Sequence, residues 1–98
     1  MASEVRFHEE ASAEYEAAFK WYFLRSEFAA SRFVEEVNRA IRQVAEAPKR
    51  WPASVHGTRR ILLQHFPFAI FYREVPSGIH ILAVAHGRRT PGYWKSRF

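Results

Sequence analysis

The chain has 98 residues, 48% of them hydrophobic, and a formal net charge of +5. This length predicts one compact domain over residues 1–98. Cysteine is absent, which excludes disulfides and thiolate metal sites and fits a reducing cytoplasm. No basic leader precedes an apolar run and no apolar stretch is long enough to span a bilayer, so we expect neither export nor membrane insertion.

Charge is divided unevenly along the chain. Residues 1–47 contain six Lys/Arg against nine Asp/Glu, a net of −3, whereas residues 48–98 contain nine against one, a net of +8. The basic half also holds two arginine pairs and two of the three tryptophans: Arg59 and Arg60, Arg88 and Arg89, Trp51 and Trp94. Cationic groups beside aromatic ones suit an anionic partner.

The first half has the apolar periodicity of two helices. An alternating run, Glu4–Phe7, predicts a short edge strand. We expect a helix to begin near Glu9 and Glu10, because negatively charged side chains stabilise the N-terminus of a helix. Its apolar stripe consists of Ala11, Tyr15, Ala18, Phe19 and Tyr22. Trp21, Phe23 and Leu24 widen this stripe beyond one face, which predicts a second contact surface for a homodimer or another protein.

The second helical stripe consists of Phe33, Val37, Ala40, Ile41 and Val44. Charged residues occupy the other side of this helix: Glu35, Glu36, Arg39, Arg42 and Glu46. Pro48 ends the pattern, and the break at residues 25–27 predicts an antiparallel helix hairpin.

After a loop over residues 48–58, three extended runs over residues 59–64, 68–73 and 79–85 predict an antiparallel meander. The last run is apolar on both faces and should be central. Alternation places Ile79, Ile81, Ala83 and Ala85 on one face, with Leu82 and Val84 on the other. It also puts His80 and His86 on a shared face. The order β-α-α-β-β-β predicts an α+β fold, with the helix hairpin packed on a small antiparallel sheet that has a mixed edge.

Neither a metal nor a nucleotide cofactor is expected. The five histidines form no His-x-x-x-His or carboxylate-flanked cluster, and the four glycines form no phosphate-binding run. We therefore predict no cofactor.

Residues 59–73 and 84–97 together resemble the RelE/ParE toxin superfamily, and within it the ParE-like plasmid stabilisation branch. The most specific part is the arginine pair followed by Pro91, Tyr93, Trp94 and Arg97. The resemblance covers nearly the whole chain and implies a RelE-like fold. It implies a type II toxin that is neutralised by a small cognate antitoxin. Such a toxin would form either a homodimer or a hetero-oligomer with its antitoxin.

The superfamily implies two modes of action. ParE-like members bind and inhibit DNA gyrase, whereas RelE-like members enter the ribosome and cleave mRNA as metal-independent endoribonucleases. A third alternative is a non-toxic relative that only binds its antitoxin. For gyrase binding we expect a surface made of Arg59, Arg60, Arg73, Arg89, Tyr93, Trp94 and Arg97.

The nuclease alternative needs cations for the phosphate and a general base. Arg60 and Arg89 match positions where the nuclease branch holds phosphate, and His86 or Lys49 would be the base. Histidines on apolar strands are more often scaffold, so the sequence favours binding over catalysis. Tyr93 and Trp94 have three interpretations: base stacking, a protein interface, or packing of the tail.

Overall fold

The structure, a computed structural model, describes residues 4–90 and 92–97; Pro91 of the tail motif lies outside the described residues. Its helices and strands are β1 (Glu4–Phe7), α1 (Glu9–Phe23), α2 (Glu27–Glu46), β2 (Arg59–Leu62), β3 (Phe68–Val75) and β4 (Gly78–His86). Single 3-10 turns lie at Val55–Gly57 and Lys95–Arg97. The predicted order is confirmed. No helix in the described ranges has the length and apolar character needed to cross a membrane.

Local hydrogen bonds explain where the two helices begin. The imidazole Nδ1 of His8 accepts the backbone N–H of Glu10 at 3.1 Å, and Ser26 Oγ accepts the N–H of Ala29 at 3.2 Å. Each contact satisfies one of the free donors in a first helical turn. Ser26 therefore separates the two helices at the break that the sequence predicts.

The four strands form one mixed sheet in the order β1-β4-β3-β2. β1 runs parallel to β4, while β2 and β3, and β3 and β4, are antiparallel neighbours. β4 is thus paired on both sides and buried, which confirms its predicted central place. β1 ends opposite Ile81, although β4 continues to His86.

A β-bulge in β4 changes which side chains share a face. Tyr72 lies opposite Ile81 and Phe71 lies opposite Ala83, so the register skips Leu82. Ile79, Ile81 and Val84 consequently pack in the core under the helices, whereas Leu82, Ala83 and Ala85 pack on the other face. The predicted alternation is therefore right as far as Leu82 and wrong after it, because one extra residue inverts the order of faces. His80 and His86 do not share a face either.

Both faces of the sheet are covered. The helix-facing core contains the second helical stripe, with Phe33, Val37, Ala40 and Val44 buried and Ile41 packed against them. On the opposite face, the indole of Trp94 stacks on Phe71 with ring centroids 3.8 Å apart, and it is only 1% exposed. The C-terminal segment, defined as residues 87–90 and 92–97, thus supplies Trp94 to a small apolar cluster formed with residues of β3 and β4.

Glu36 departs from its predicted place on the solvent side of α2. It is 8% exposed, and its carboxylate accepts the backbone N–H groups of Gln64 and His65. Its Oε2 also lies 3.0 Å from His65 Nδ1. The prediction was wrong because the loop after β2 folds back onto α2 and needs an acceptor for its free amides.

Candidate protein-binding cleft

A cleft of about 450 Å³ opens where β1 ends and β4 continues beside α1. Among the described strands, none pairs with β4 on this side after Ile81. The cleft is lined by Ala17, Ala18, Trp21, Tyr22, Pro67, Phe68 and Val84, with Glu14, His86, Arg89 and Tyr93 as its polar groups. A mainly apolar lining with a few polar groups is typical of a binding site.

The apolar surface continues from the cleft to the turn between the helices. Trp21 is 53% exposed, Leu24 82% and Phe28 71%. The guanidinium carbon of Arg25 lies 3.7 Å from the centroid of the Trp21 ring, so a cation covers part of the indole. Phe23 is exposed as well, which means that all three residues predicted as a second contact surface are available to a partner.

One cationic side chain, Arg89, borders the cleft at the end of β4, next to the imidazole of His86. The guanidinium carbon of Arg89 lies 3.9 Å from the Tyr93 ring centroid. His86 contacts Phe68 edge to face, and its Nδ1 accepts the backbone N–H of Arg88 at 3.1 Å. This side of the cleft therefore combines aromatic surface with positive charge, as the composition of the basic half predicts.

Glu14 connects α1, β4 and the C-terminal segment. Its carboxylate accepts the backbone N–H of Val84 at 3.0 Å, the hydroxyl of Tyr93 at 2.7 Å, and two guanidinium N–H groups of Arg97 at 3.0 and 3.1 Å. The guanidinium of Arg97 also donates to the carbonyl of Leu82 at 2.9 Å. The sequence interpretation missed Glu14. Glu14 is three residues after Ala11 and four before Ala18, which places its carboxylate on the buried stripe of the helix. This spacing is the signal in the sequence that identifies it.

The pKa values of Tyr93 and Arg97, the two side chains that donate to Glu14, are both raised. Burial first, and then the hydrogen bond to Glu14, raises the pKa of the Tyr93 hydroxyl. For Arg97, burial lowers the pKa, but the hydrogen bond and the charge of Glu14 outweigh it, so the pKa is raised. Both groups are held in the protonated form that donates to the carboxylate.

The seven side chains predicted to bind the target do not form one surface. Trp94 and Arg97 are buried, at 1% and 9% exposure, so neither offers surface to a partner. Arg89 and Tyr93 line the cleft. The other three lie elsewhere: Arg59 donates to the carbonyl of Trp51 at 2.7 Å, and Arg60 and Arg73 lie on the sheet face away from the helices. The single cationic surface expected from the sequence is therefore wrong as a structural prediction.

The candidate nuclease residues are separated as well. Arg60 lies opposite Phe71 on the face that Trp94 covers, whereas His86 and Arg89 lie in the cleft on the helix side. Lys49 is exposed next to Pro48, whose carbonyl accepts the hydroxyl of Tyr72 in the middle of β3. The arrangement brings together His86 and Arg89 but not Arg60 or Lys49.

The comparisons with known proteins agree with this architecture. The profile of a family described as the ParE toxin of type II toxin–antitoxin systems, parDE, matches residues 5–91. A solved structure of the chromosomal ParDE toxin–antitoxin system from P. aeruginosa is similar at a TM-score of 0.74 and 19% identity, covering 87% of this chain and 96% of that one. No curated protein sequence matches. The chain belongs to the ParE toxin family of type II toxin–antitoxin systems.

Proposed function

We propose that this toxin acts in the cytoplasm by binding and inhibiting DNA gyrase, and that a cognate antitoxin neutralises it by occupying the cleft beside α1. The observation that carries the proposal is an open apolar cleft with the cationic side chain of Arg89 at its border, on a chain of the ParE family. The toxin is thus a binding protein.

The cleft favours a partner with apolar side chains and carboxylates on one segment. An amphipathic helix fits this description, because its apolar face can enter the cleft while acidic residues approach Arg89. Trp21 and Arg89 are of the residue types that contribute most at protein interfaces. Since the basic half carries +8, an acidic antitoxin segment would also associate faster than a neutral one.

The position of Trp94 favours binding over RNA cleavage. Its indole stacks on Phe71, which lies directly opposite Arg60, so the sheet face next to Arg60 is filled by protein. RNA cleavage requires a base and phosphate-binding cations within a few ångströms of one scissile phosphate. Arg60 and Arg89 lie on opposite sides of the sheet, which gives the endoribonuclease alternative less support.

A supercoiling assay with purified DNA gyrase tests the target. We expect the protein to inhibit supercoiling and the cognate antitoxin, mixed with it beforehand, to restore it. A parallel reaction measures whether the same amount of toxin cleaves mRNA in a purified translation system. Unaffected gyrase at a stoichiometric excess of toxin, together with arrested translation, would contradict the proposal and favour the nuclease alternative.

A further inference from the structure

The outer edge of β4 beyond Ile81 is closed by side chains. Two of its backbone groups, the N–H of Val84 and the carbonyl of Leu82, are bonded by Glu14 and by Arg97 respectively. Unpaired strand edges attract further strands, so proteins usually cover them. Here a carboxylate from α1 and a guanidinium from the C-terminal segment take the place of a neighbouring strand.

Glu14 and Arg97 depend on each other. Their side chains are 17% and 9% exposed, and they are joined by two charge-assisted hydrogen bonds. Glu10 adds a longer contact of 3.5 Å to the same guanidinium. Removing one member of a buried ion pair leaves an uncompensated charge, which is strongly unfavourable.

The cluster also fixes a wall of the cleft. The Tyr93 hydroxyl donates to Glu14, and the Tyr93 ring supports the guanidinium of Arg89 at 3.9 Å. All three side chains line the cleft. The position of Arg89 in the cleft thus depends on Tyr93, and the position of Tyr93 depends on the carboxylate of Glu14 from α1.

We propose that Glu14 is a positioning residue of the cleft: it holds the C-terminal segment against β4, so that Tyr93 and Arg89 form the wall on which a partner binds. This inference rests on the proposed function for its biological meaning, since it concerns the same cleft. That the carboxylate of Glu14 holds the C-terminal segment follows from the contacts alone.

Glu14→Gln tests this role. The amide oxygen of glutamine can still accept the N–H of Val84, but the charge that holds Arg97 is lost. We expect the backbone amides of Lys95 and Arg97, which are bonded to the carbonyls of Gly92 and Trp94, to exchange with solvent at least about tenfold faster, as for one lost charge-assisted hydrogen bond. Glu16→Gln, an exposed residue of α1, is the matched control and should leave these amides unchanged.

Three further variants keep the test decisive. Arg97→Gln should loosen the same amides, and the double variant should be no looser than either single one, because the effects of one shared network are not additive. If Glu14→Gln does not fold, Tyr93→Phe removes a single hydrogen bond and should still loosen the segment. Wild-type exchange rates in folded Glu14→Gln or, in that case, in Tyr93→Phe would overturn the proposal.

Binding of the cognate antitoxin is measured on the same variants. We expect a loss of affinity of about tenfold for Glu14→Gln and none for Glu16→Gln, by calorimetry. A loosened segment with unchanged affinity would overturn the role of Glu14 in the cleft. Failure of the wild-type protein to bind antitoxin would instead count against the proposed function, while the exchange rates would still decide whether Glu14 holds the segment.

Discussion

The buried carboxylate of Glu36 fixes the backbone conformation of a loop. It accepts hydrogen bonds from the backbone N–H groups of Gln64 and His65 in the turn that connects β2 to β3. Burial raises the pKa of Glu36, but the hydrogen bonds from His65 and Gln64 outweigh it, so the pKa lies below its usual value. The charged form is therefore the one that stabilises the fold.

We expect Glu36→Ala to lower the free energy of unfolding by about 1–3 kcal/mol, because it leaves two backbone donors without their acceptor. Glu36→Gln should cost less, since its amide oxygen can still accept. Chemical denaturation at neutral pH measures both, and Glu35→Gln on the exposed side of α2 is the control.

The same glutamate predicts a pH dependence. A carboxyl whose folded-state pKa is lowered stabilises the protein above its unfolded pKa of about 4.3, and this contribution is lost as the pH falls through the folded value. The stability difference between the wild type and Glu36→Gln should therefore shrink on acidification from about pH 5. A difference that stayed constant down to pH 2 would contradict this account.

Residues of this kind are hard to predict because their partners are distant in sequence. Glu14 is bonded to groups 70 to 83 residues away, and Glu36 to groups 28 and 29 residues away. Helical periodicity shows on which face a carboxylate lies. It does not show which loop or tail will return to bind it.

At the scale of elements, the order and approximate bounds of all six helices and strands follow from periodicity and turn residues. What alternation missed is the bulge at Leu82, because residues on both sides of it are apolar. A run such as Ile-Leu-Ala-Val-Ala fits either face, so nothing in it marks the position of an extra residue. The assignment of His86 to its face was wrong for this reason alone.

The pairing of β1 with β4 depends on Gly78, which begins β4 opposite Glu4. Its φ is +145°, and a Cβ at this position would overlap the backbone of Glu4. We expect Gly78→Ala to lower the free energy of unfolding by more than Gly57→Ala does. Gly57 also has a positive φ, +73°, but its added Cβ would meet nothing within 4 Å.

Gly57→Ala thus measures the backbone cost alone, about 1 kcal/mol. The excess for Gly78→Ala reports the clash between β1 and β4 together with the greater backbone strain of an alanine at φ +145°. Urea denaturation of both variants gives the comparison. Equal losses of stability would show that β1 moves to accommodate the added Cβ at no cost in free energy.

For the whole molecule, the two-signed charge is predictable from the sequence, but its distribution over the surface is not. Alternating strand positions send Arg59 and Arg60 to opposite faces, and the C-terminal turn buries Arg97 against α1. The family and fold were recognisable from the order of the motifs. The cleft was not, because it is formed by the end of β1, the helix α1 and the C-terminal segment together.

Charge reversal on the two sides of the sheet tests where the antitoxin binds. We expect Arg89→Glu to weaken binding of the cognate antitoxin by at least about tenfold, because attraction between Arg89 and an acidic partner becomes a repulsion. Arg60→Glu, with the same change in net charge on the opposite face, should have a much smaller effect. Titrations at low and high salt measure both, and an equal loss for the two variants would show that binding follows net charge alone.

Two of the three tryptophans, Trp21 and Trp94, lie in different surroundings, and this has a spectroscopic consequence. Trp94 is already shielded from water, whereas Trp21 is half exposed at the border of the cleft. A molecule that fills the cleft would exclude solvent from Trp21 and shift its fluorescence emission to shorter wavelength, while the signal of Trp94 stays constant. The protein therefore carries an intrinsic optical probe, with no added label, for any ligand that enters beside α1.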